Sequence, residues 1–285
     1  VIRGLDASSV QGKLPFDQLG EEYRFVILKA VQGNDGTDPW FERNALEALS
    51  RGLEVFAYCF PYPLPHLKPE EQAKRFVDFV GRVLPGRPLF LDYEWPEVVP
   101  SHAGKKGWRE WGCNPRQLSA WMRACSAEVE RLSGVRPALY TYDWWWACIR
   151  DGAPAYGFME SADVAWAADY PLWMAWYRQG WPAVGDKPKV PKPWADWTFW
   201  QFDGNAGLRL PNGADCDFCV FNGDEDDLRR FARWSEADGV PTERELPACG
   251  PVQEPDGGES RWRATSEAVV EAVRDLVTRR AGEDD

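Results

Sequence analysis

The chain has no excess of positive charge, no long apolar run and almost no histidine, and each shortage removes a class of function. Its formal net charge is −12 over 285 residues. A nucleic-acid binder would carry a basic patch, and a peripheral lipid binder a polybasic segment; neither is present. No stretch approaches the ~18 apolar residues that a membrane-spanning helix needs. No apolar segment opens the chain, so no signal peptide is expected. Synthesis in the cytoplasm follows as an expectation. The two histidines, His66 and His102, lie far apart in loop-like sequence. The seven cysteines are odd in number and scattered, which does not fit a secreted disulfide framework. Cys216-x-x-Cys219 has no second such pair to complete a zinc site. Small buried thiols are the expected role, with no metal and no cofactor. No internal repeat is present.

What the chain does have is alternation. Strand-like segments at 2–6, 24–30, 53–60, 88–93, 136–141, 163–167, 172–177, 197–202 and 216–220 are interleaved with helical ones over the first half, which predicts a mostly parallel sheet. The clearest helix runs from Pro39 to Arg51, with Asp38 as N-cap, Pro39 in the first turn and Gly52 at the stop. A second spans Pro69 to Val83, with Glu70 and Glu71 in its first turn. A third spans Pro115 to Leu132, capped by Asn114 and stopped at Gly134. From 160 to 220 strands follow one another through loops. The expected fold is therefore α/β, an irregular (β/α) barrel of the TIM-like type with a strand-rich, helix-poor second half. The barrel is expected to occupy 1–234. Residues 235–262 read as a Pro/Gly/acidic linker. Residues 263–285 form a short tail, with Val269, Val273, Leu276 and Val277 on one helical face.

The densest chemistry lies in FLDYEW, residues 90–95. PLFLDYE reads as a buried strand that WPEVVP cannot continue. Side chains two apart on a strand share a face, with Cα atoms roughly 6–7 Å apart. Asp92 and Glu94 therefore project together where the strand meets its loop. Paired acids in a partly dry site are the usual means of breaking glycosidic bonds: one protonates the leaving oxygen and the other answers the developing positive charge. The plainer reading of two such acids is a solvated strand end.

The rest of the chain favours the chemical reading. GLDASSVQG (4–12), FVILKAVQG (25–33), VFAYCFPY (55–62), LWMAWY (172–177), WQF (200–202) and DFCVFNG (217–223) follow in a distinctive order. Together with FLDYEW, this set resembles the family-25 glycoside hydrolases, the lysozymes (muramidases) of phage and bacterial lytic enzymes. The resemblance covers about residues 1–233. It implies a hydrolase that cleaves the β-1,4 bond between N-acetylmuramic acid and N-acetylglucosamine. Glu94 matches the family's proton donor, and Asp6, Asp92 and Asp217 match its other active-site acids. The implied partner is the peptidoglycan glycan strand. A monomer is expected, acting on the bacterial wall after release, with a helper such as a phage holin for export.

Two positions depart from the family. Cys59 stands where many members have His, and Cys219 where many have Asn. Neither replaces a carboxylate, so activity is expected, with fine specificity and pH optimum open. Seventeen tryptophans are unusually many. Flat sugar faces lie well on aromatic rings, and Tyr58, Tyr62, Tyr140, Trp173, Tyr177 and Trp200, near strand ends, are candidate subsites. Core packing is the alternative for each. At most one or two of Trp144, Trp145 and Trp146 can face a sugar. Two other functions compete: a non-catalytic glycan-binding or structural subunit, and a chitinase-like glycosidase. A binding module has no need of a proton donor, which argues against the first.

Overall fold

A computed structural model describes residues 1–94, 113–154, 158–210, 213 and 215–233. The expected linker and C-terminal tail lie outside the described residues. The element order is β1 (Ile2–Ala7), β2 (Tyr23–Gln32), β3 (Gly36–Thr37), α1 (Phe41–Ser50), β4 (Glu54–Phe60), α2 (Pro69–Val80), β5 (Leu89–Asp92), α3 (Pro115–Ser133), β6 (Ala138–Tyr142), α4 (Asp143–Asp151), β7 (Leu172–Ala175), β8 (Phe199–Arg209), β9 (Asp215–Phe221) and α5 (Glu225–Ala232).

The strands close on themselves. In the order β1-β9-β8-β7-β6-β5-β4-β2, with β1 pairing back onto β2, eight of them form a barrel, and β3 is a two-residue hairpin extension of β2. Within the barrel every neighbouring pair is parallel except the two made by β9, which runs antiparallel to both β1 and β8. That reversal places the start of β9 at the same rim as the ends of the other strands. The barrel is thus α/β and irregular, as the alternation of the sequence predicts. From β7 to β9 no α-helix intervenes among the described residues.

Local sequence accounts for the helix ends. Asn114 caps α3 in a reciprocal box with Gln117, and Gly134 ends it at φ 75°, where a side chain would be strained. α1 begins later than expected. Asp38 does not cap it; its carboxylate accepts from the Trp40 and Ser9 backbone N–H groups and fixes the turn before the helix. The expected strand at 163–167 is absent. Asp163 Oδ1 accepts from the Ala165 N–H at 2.9 Å and starts a short 3-10 helix over Ala165–Asp169. Alanine-rich AWAAD lacks the β-branched residues that would resist that turn.

The barrel interior is filled in layers. Phe25, Phe56, Phe90, Phe199 and Phe221 pack with ring centroids 5.0–6.4 Å apart, mostly edge to face. Gly4 supplies β1's share of this layer because any Cβ there would sit 2.4 Å from the Phe25 ring. β9 ends at the lower rim because it is antiparallel, so the helix that follows it, α5, plugs that end. Phe231 of α5 contacts Phe56, Phe90, Phe199 and Phe221 at 5.2–6.2 Å. Strand side chains of opposite parity face outward and bury against the helices.

Candidate active site

Two residues further along the same strands, the interior turns polar. Asp6 of β1 and Asp217 of β9 are direct cross-strand partners. Asp92 closes β5, and Glu94 follows it at the rim. Asp6 and Asp92 are buried, while Asp217 and Glu94 are half-buried. The four acids act on one another electrostatically, so the structure brings them to one mouth. Asp217 reaches it only because β9 is reversed.

Burial and like charge both push the three aspartates upward. Asp6 rises well above the usual carboxylate range, first through desolvation and then through Asp217; hydrogen bonds from Gln201 and Cys219 oppose the rise. Asp92 rises for the same reason, with Glu94 as the largest charge and Lys29 opposing. Asp217 is raised from 3.8 to about 6, by desolvation and by Asp203. Among the described residues, one carboxyl oxygen of Asp92 and one of Asp217, Oδ1 in each, are buried without a hydrogen-bond partner. Crowded carboxyls whose burial favours the protonated form equip a site for both proton donation and charge stabilisation.

The aromatic candidates divide by strand parity. Tyr58 and Tyr140 face into the barrel beside the acids, Tyr140 in register with Asp92, and Trp173 is buried against them; Tyr140 and Trp173 rings are 4.6 Å apart. Trp173 is 1% exposed and forms part of the packed floor. Trp200 sits on the outer face, 2% exposed, and donates from Nε1 to the Trp176 carbonyl at 2.7 Å. Neither offers a ring to a sugar at the mouth. Tyr62 is half-buried, and its hydroxyl accepts from Gln32. Tyr177 is 56% exposed. Of the tryptophan cluster, Trp145 and Trp146 are buried, while Trp144 is exposed and stacks on Tyr142 at 6.3 Å and 7°. Trp40 and Trp176 are further exposed rings on segments that follow strand ends.

Three polar residues at the mouth escaped the sequence reading. Gln201 is buried between Asp6 and Asp217 and bonded to both. Lys29 lies over the Phe60 ring, its Nζ 5.2 Å from the centroid, and bonds Gln32. Asp203 is 2% exposed. Each had the same available signal, a polar residue of inward parity inside an apolar strand. In WQF the eye falls on the aromatics. Cys59 faces outward into the helix layer, whereas Cys219 faces inward and its Sγ donates to Asp6 Oδ2 at 3.2 Å. Cys216 and Cys219 lie on opposite faces of β9. Among the described residues no group of three or more His, Cys, Asp or Glu side chains is arranged to hold a metal ion.

An eight-stranded barrel with several carboxylates at the C-terminal mouth is an architecture suited to glycoside hydrolysis. The model of the glycosyl hydrolases family 25 matches residues 5–209, and the chain belongs to that family. It is a glycoside hydrolase of the lysozyme, or muramidase, class. It is 27% identical over 241 residues to an N,O-diacetylmuramidase from Chalaropsis sp, covering 81% of this chain and 99% of that one. A family-25 lysozyme structure from Aspergillus fumigatus superposes with TM-score 0.60 at 26% identity, covering 81% and 98% of the two chains. A bacterial lysozyme from Streptomyces coelicolor has the same fold, with TM-score 0.64, 23% identity and coverage of 82% and 98%.

Proposed function

We propose that this hydrolase cleaves the β-1,4 bond between N-acetylmuramic acid and N-acetylglucosamine in peptidoglycan strands, with Glu94 as the general acid. The observation that carries the reading is the convergence of Asp6, Asp92, Glu94 and Asp217 on one mouth from three separate parts of the chain. Glu94 is half-buried at the rim, where it can reach the glycosidic oxygen and give it a proton as the bond breaks. Asp6, Asp92 and Asp217 supply the negative field that stabilises the oxocarbenium-like transition state.

The unpartnered Oδ1 atoms of Asp92 and Asp217 favour a substrate-assisted route. Either can accept the acetamido N–H of the muramic acid. That interaction turns the acetamido oxygen toward the anomeric carbon, where it forms a C–O bond as the leaving sugar departs. Water then opens the cyclic intermediate, and Glu94, now ionised, takes the proton. Exposed Tyr177, Trp144 and Trp176 offer ring faces on which flanking sugars can lie. The site of action is the bacterial wall, reached after release, with the protein as a monomer.

The test is the product. Digestion of purified peptidoglycan should release muramic acid at the new reducing ends, and proton NMR of the first product should show retained β configuration. Glucosamine at the reducing end, or preferential cleavage of chitin oligomers, would overturn the bond assignment. An α anomer as the first product would replace the substrate-assisted route with attack by base-activated water.

A further inference from the structure

Gln201 makes more contacts to the acids than any packing role requires. Its Nε2 lies 3.0 Å from Asp6 Oδ2 and 3.2 Å from Asp217 Oδ2. Its Oε1 lies 2.9 Å from the Tyr140 hydroxyl and 3.1 Å from the Tyr177 hydroxyl. A primary amide has two N–H donors and a carbonyl oxygen with two lone pairs. All four are engaged. The reversed amide would set its oxygen against two carboxylate oxygens, so the orientation is fixed by its neighbours.

This arrangement distinguishes the oxygens of each acid. Asp6 Oδ2 accepts from Gln201 and also from the Cys219 thiol at 3.2 Å. An oxygen receiving two donors cannot hold a proton without losing one of them. Asp217 Oδ2 accepts from Gln201 as well, as its one donor, while its Oδ1 has no partner among the described residues, which leaves Oδ1 the freer oxygen for a proton. The two acids are also joined to the rim. Tyr177 is 56% exposed, and its hydroxyl is bonded to the amide that holds them both.

We propose that Gln201 is a positioning residue: it directs any proton on Asp6 or Asp217 to Oδ1 and ties both carboxyls to Tyr177, so that a sugar lying on Tyr177 is felt at the acids. The proposal rests on reading the mouth as the hydrolytic site, and its test separates the two. Other charges face the pair. Asp92 and Glu94 project from the end of β5 and Asp203 from β8, while Lys29 of β2 acts on Asp92. The neutral groups are the Tyr58 and Tyr140 phenols and the Cys219 thiol, all held protonated by burial. These remain in place when Gln201 is changed, so a shift on substitution belongs to the amide.

The experiment is carboxyl ¹³C NMR of aspartate-labelled protein, titrated for wild type, Gln201→Leu and Tyr177→Phe, beside kcat and KM on peptidoglycan fragments. Amide donors favour the ionised carboxylates. Removing them in Gln201→Leu should raise the titration midpoints of Asp6 and Asp217 by about one pH unit. It should lower kcat by ~10-fold or more with KM nearly unchanged. Tyr177→Phe frees one side of the amide and should raise the same midpoints by less. Unchanged midpoints in folded Gln201→Leu overturn the proposal. If that variant does not fold, Tyr177→Phe decides, because a half-exposed ring losing one hydroxyl leaves the core intact; no shift there also overturns it. Raised midpoints in a protein that fails to hydrolyse peptidoglycan would sink the proposed function and leave the positioning role standing.

Discussion

The barrel interior holds two layers built on the same strands, and they obey opposite rules. Below, Phe25, Phe56, Phe90, Phe199, Phe221 and Phe231 meet edge to face, with nothing polar among them. Above, two to four residues along, stand Lys29, Tyr58, Asp92, Gln201 and, on reversed β9, Asp217. The lower layer buries large apolar surfaces, and aromatic pairs add about 0.5–1.5 kcal/mol each beyond area. The upper layer crowds like charges and leaves buried oxygens unpaired, both of which oppose folding. Stability and chemistry are thus stacked rather than mixed, and a period of two lets one strand serve both. The lower layer supplies the rigidity against which the upper layer's strain is held.

This division is open to attack from either side, and the largest effect should come from above. Glu94→Gln removes the proton donor and should lower kcat by about 10²–10⁴. It should leave the melting temperature and glycan binding unchanged, since Glu94 is only half-buried. Turnover and thermal melting measured on one preparation check both halves. Near wild-type hydrolysis would remove Glu94 from the role.

The converse change lies in the lower layer. Phe90→Ala should cost ~3–5 kcal/mol of stability through lost burial and a residual cavity. Phe90 touches Phe56, Trp173, Phe199 and Phe231, so the cavity has several walls and cannot easily collapse. Per folded molecule, well below the melting transition, kcat should change little. A large fall in kcat would show that the layers are coupled more tightly than stacking implies.

A substitution in the upper layer should also reveal its folding penalty. Asp217 is raised from 3.8 to about 6 in the folded chain. The folded state then binds a proton more tightly than the unfolded one, so stability falls as pH rises from about 4 through 6, and the penalty is complete above that. Asp217→Asn cannot ionise. It should therefore melt higher than wild type at pH 7, with the advantage shrinking toward pH 4, while kcat falls. An equal difference at both pH values would mean that ionisation of Asp217 carries no cost.

The lower layer was easier to read from sequence than the upper. Phenylalanines in apolar runs mark strands whatever their partners, and eight of the nine expected strands form, with ends shifted by a few residues. The ninth, at 163–167, failed because its first residue, Asp163, bonds the backbone locally and starts a helical turn. The four acids stood out because charged residues at strand ends are conspicuous. Which ring faces the mouth was not legible. Trp173 and Trp200 lie near strand ends, as Tyr177 does, but parity and depth send one to the floor and the other to the outer wall. Gln201 was hidden for a different reason. Its importance lies in four partners drawn from β1, β6, β9 and the segment after β7, and only closure of the barrel brings them together.

The smallest effect is expected at the C-terminus. A chain ending at Trp234 keeps both layers, all four acids and α5, whose Phe231 closes the lower end. The residues beyond it are rich in Pro, Gly and acids up to 262, a composition with little apolar surface to bury. Melting temperature and hydrolysis of soluble fragments should therefore match those of the full chain. The sequence of 263–280 carries Val269, Val273, Leu276 and Val277 at helical spacing, a pattern suited to docking on a wall or a partner, so activity on intact cells is the measurement in which the two lengths should differ. If the shorter chain is insoluble or melts many degrees lower, the lower layer extends past α5, and the tail's apolar face completes it.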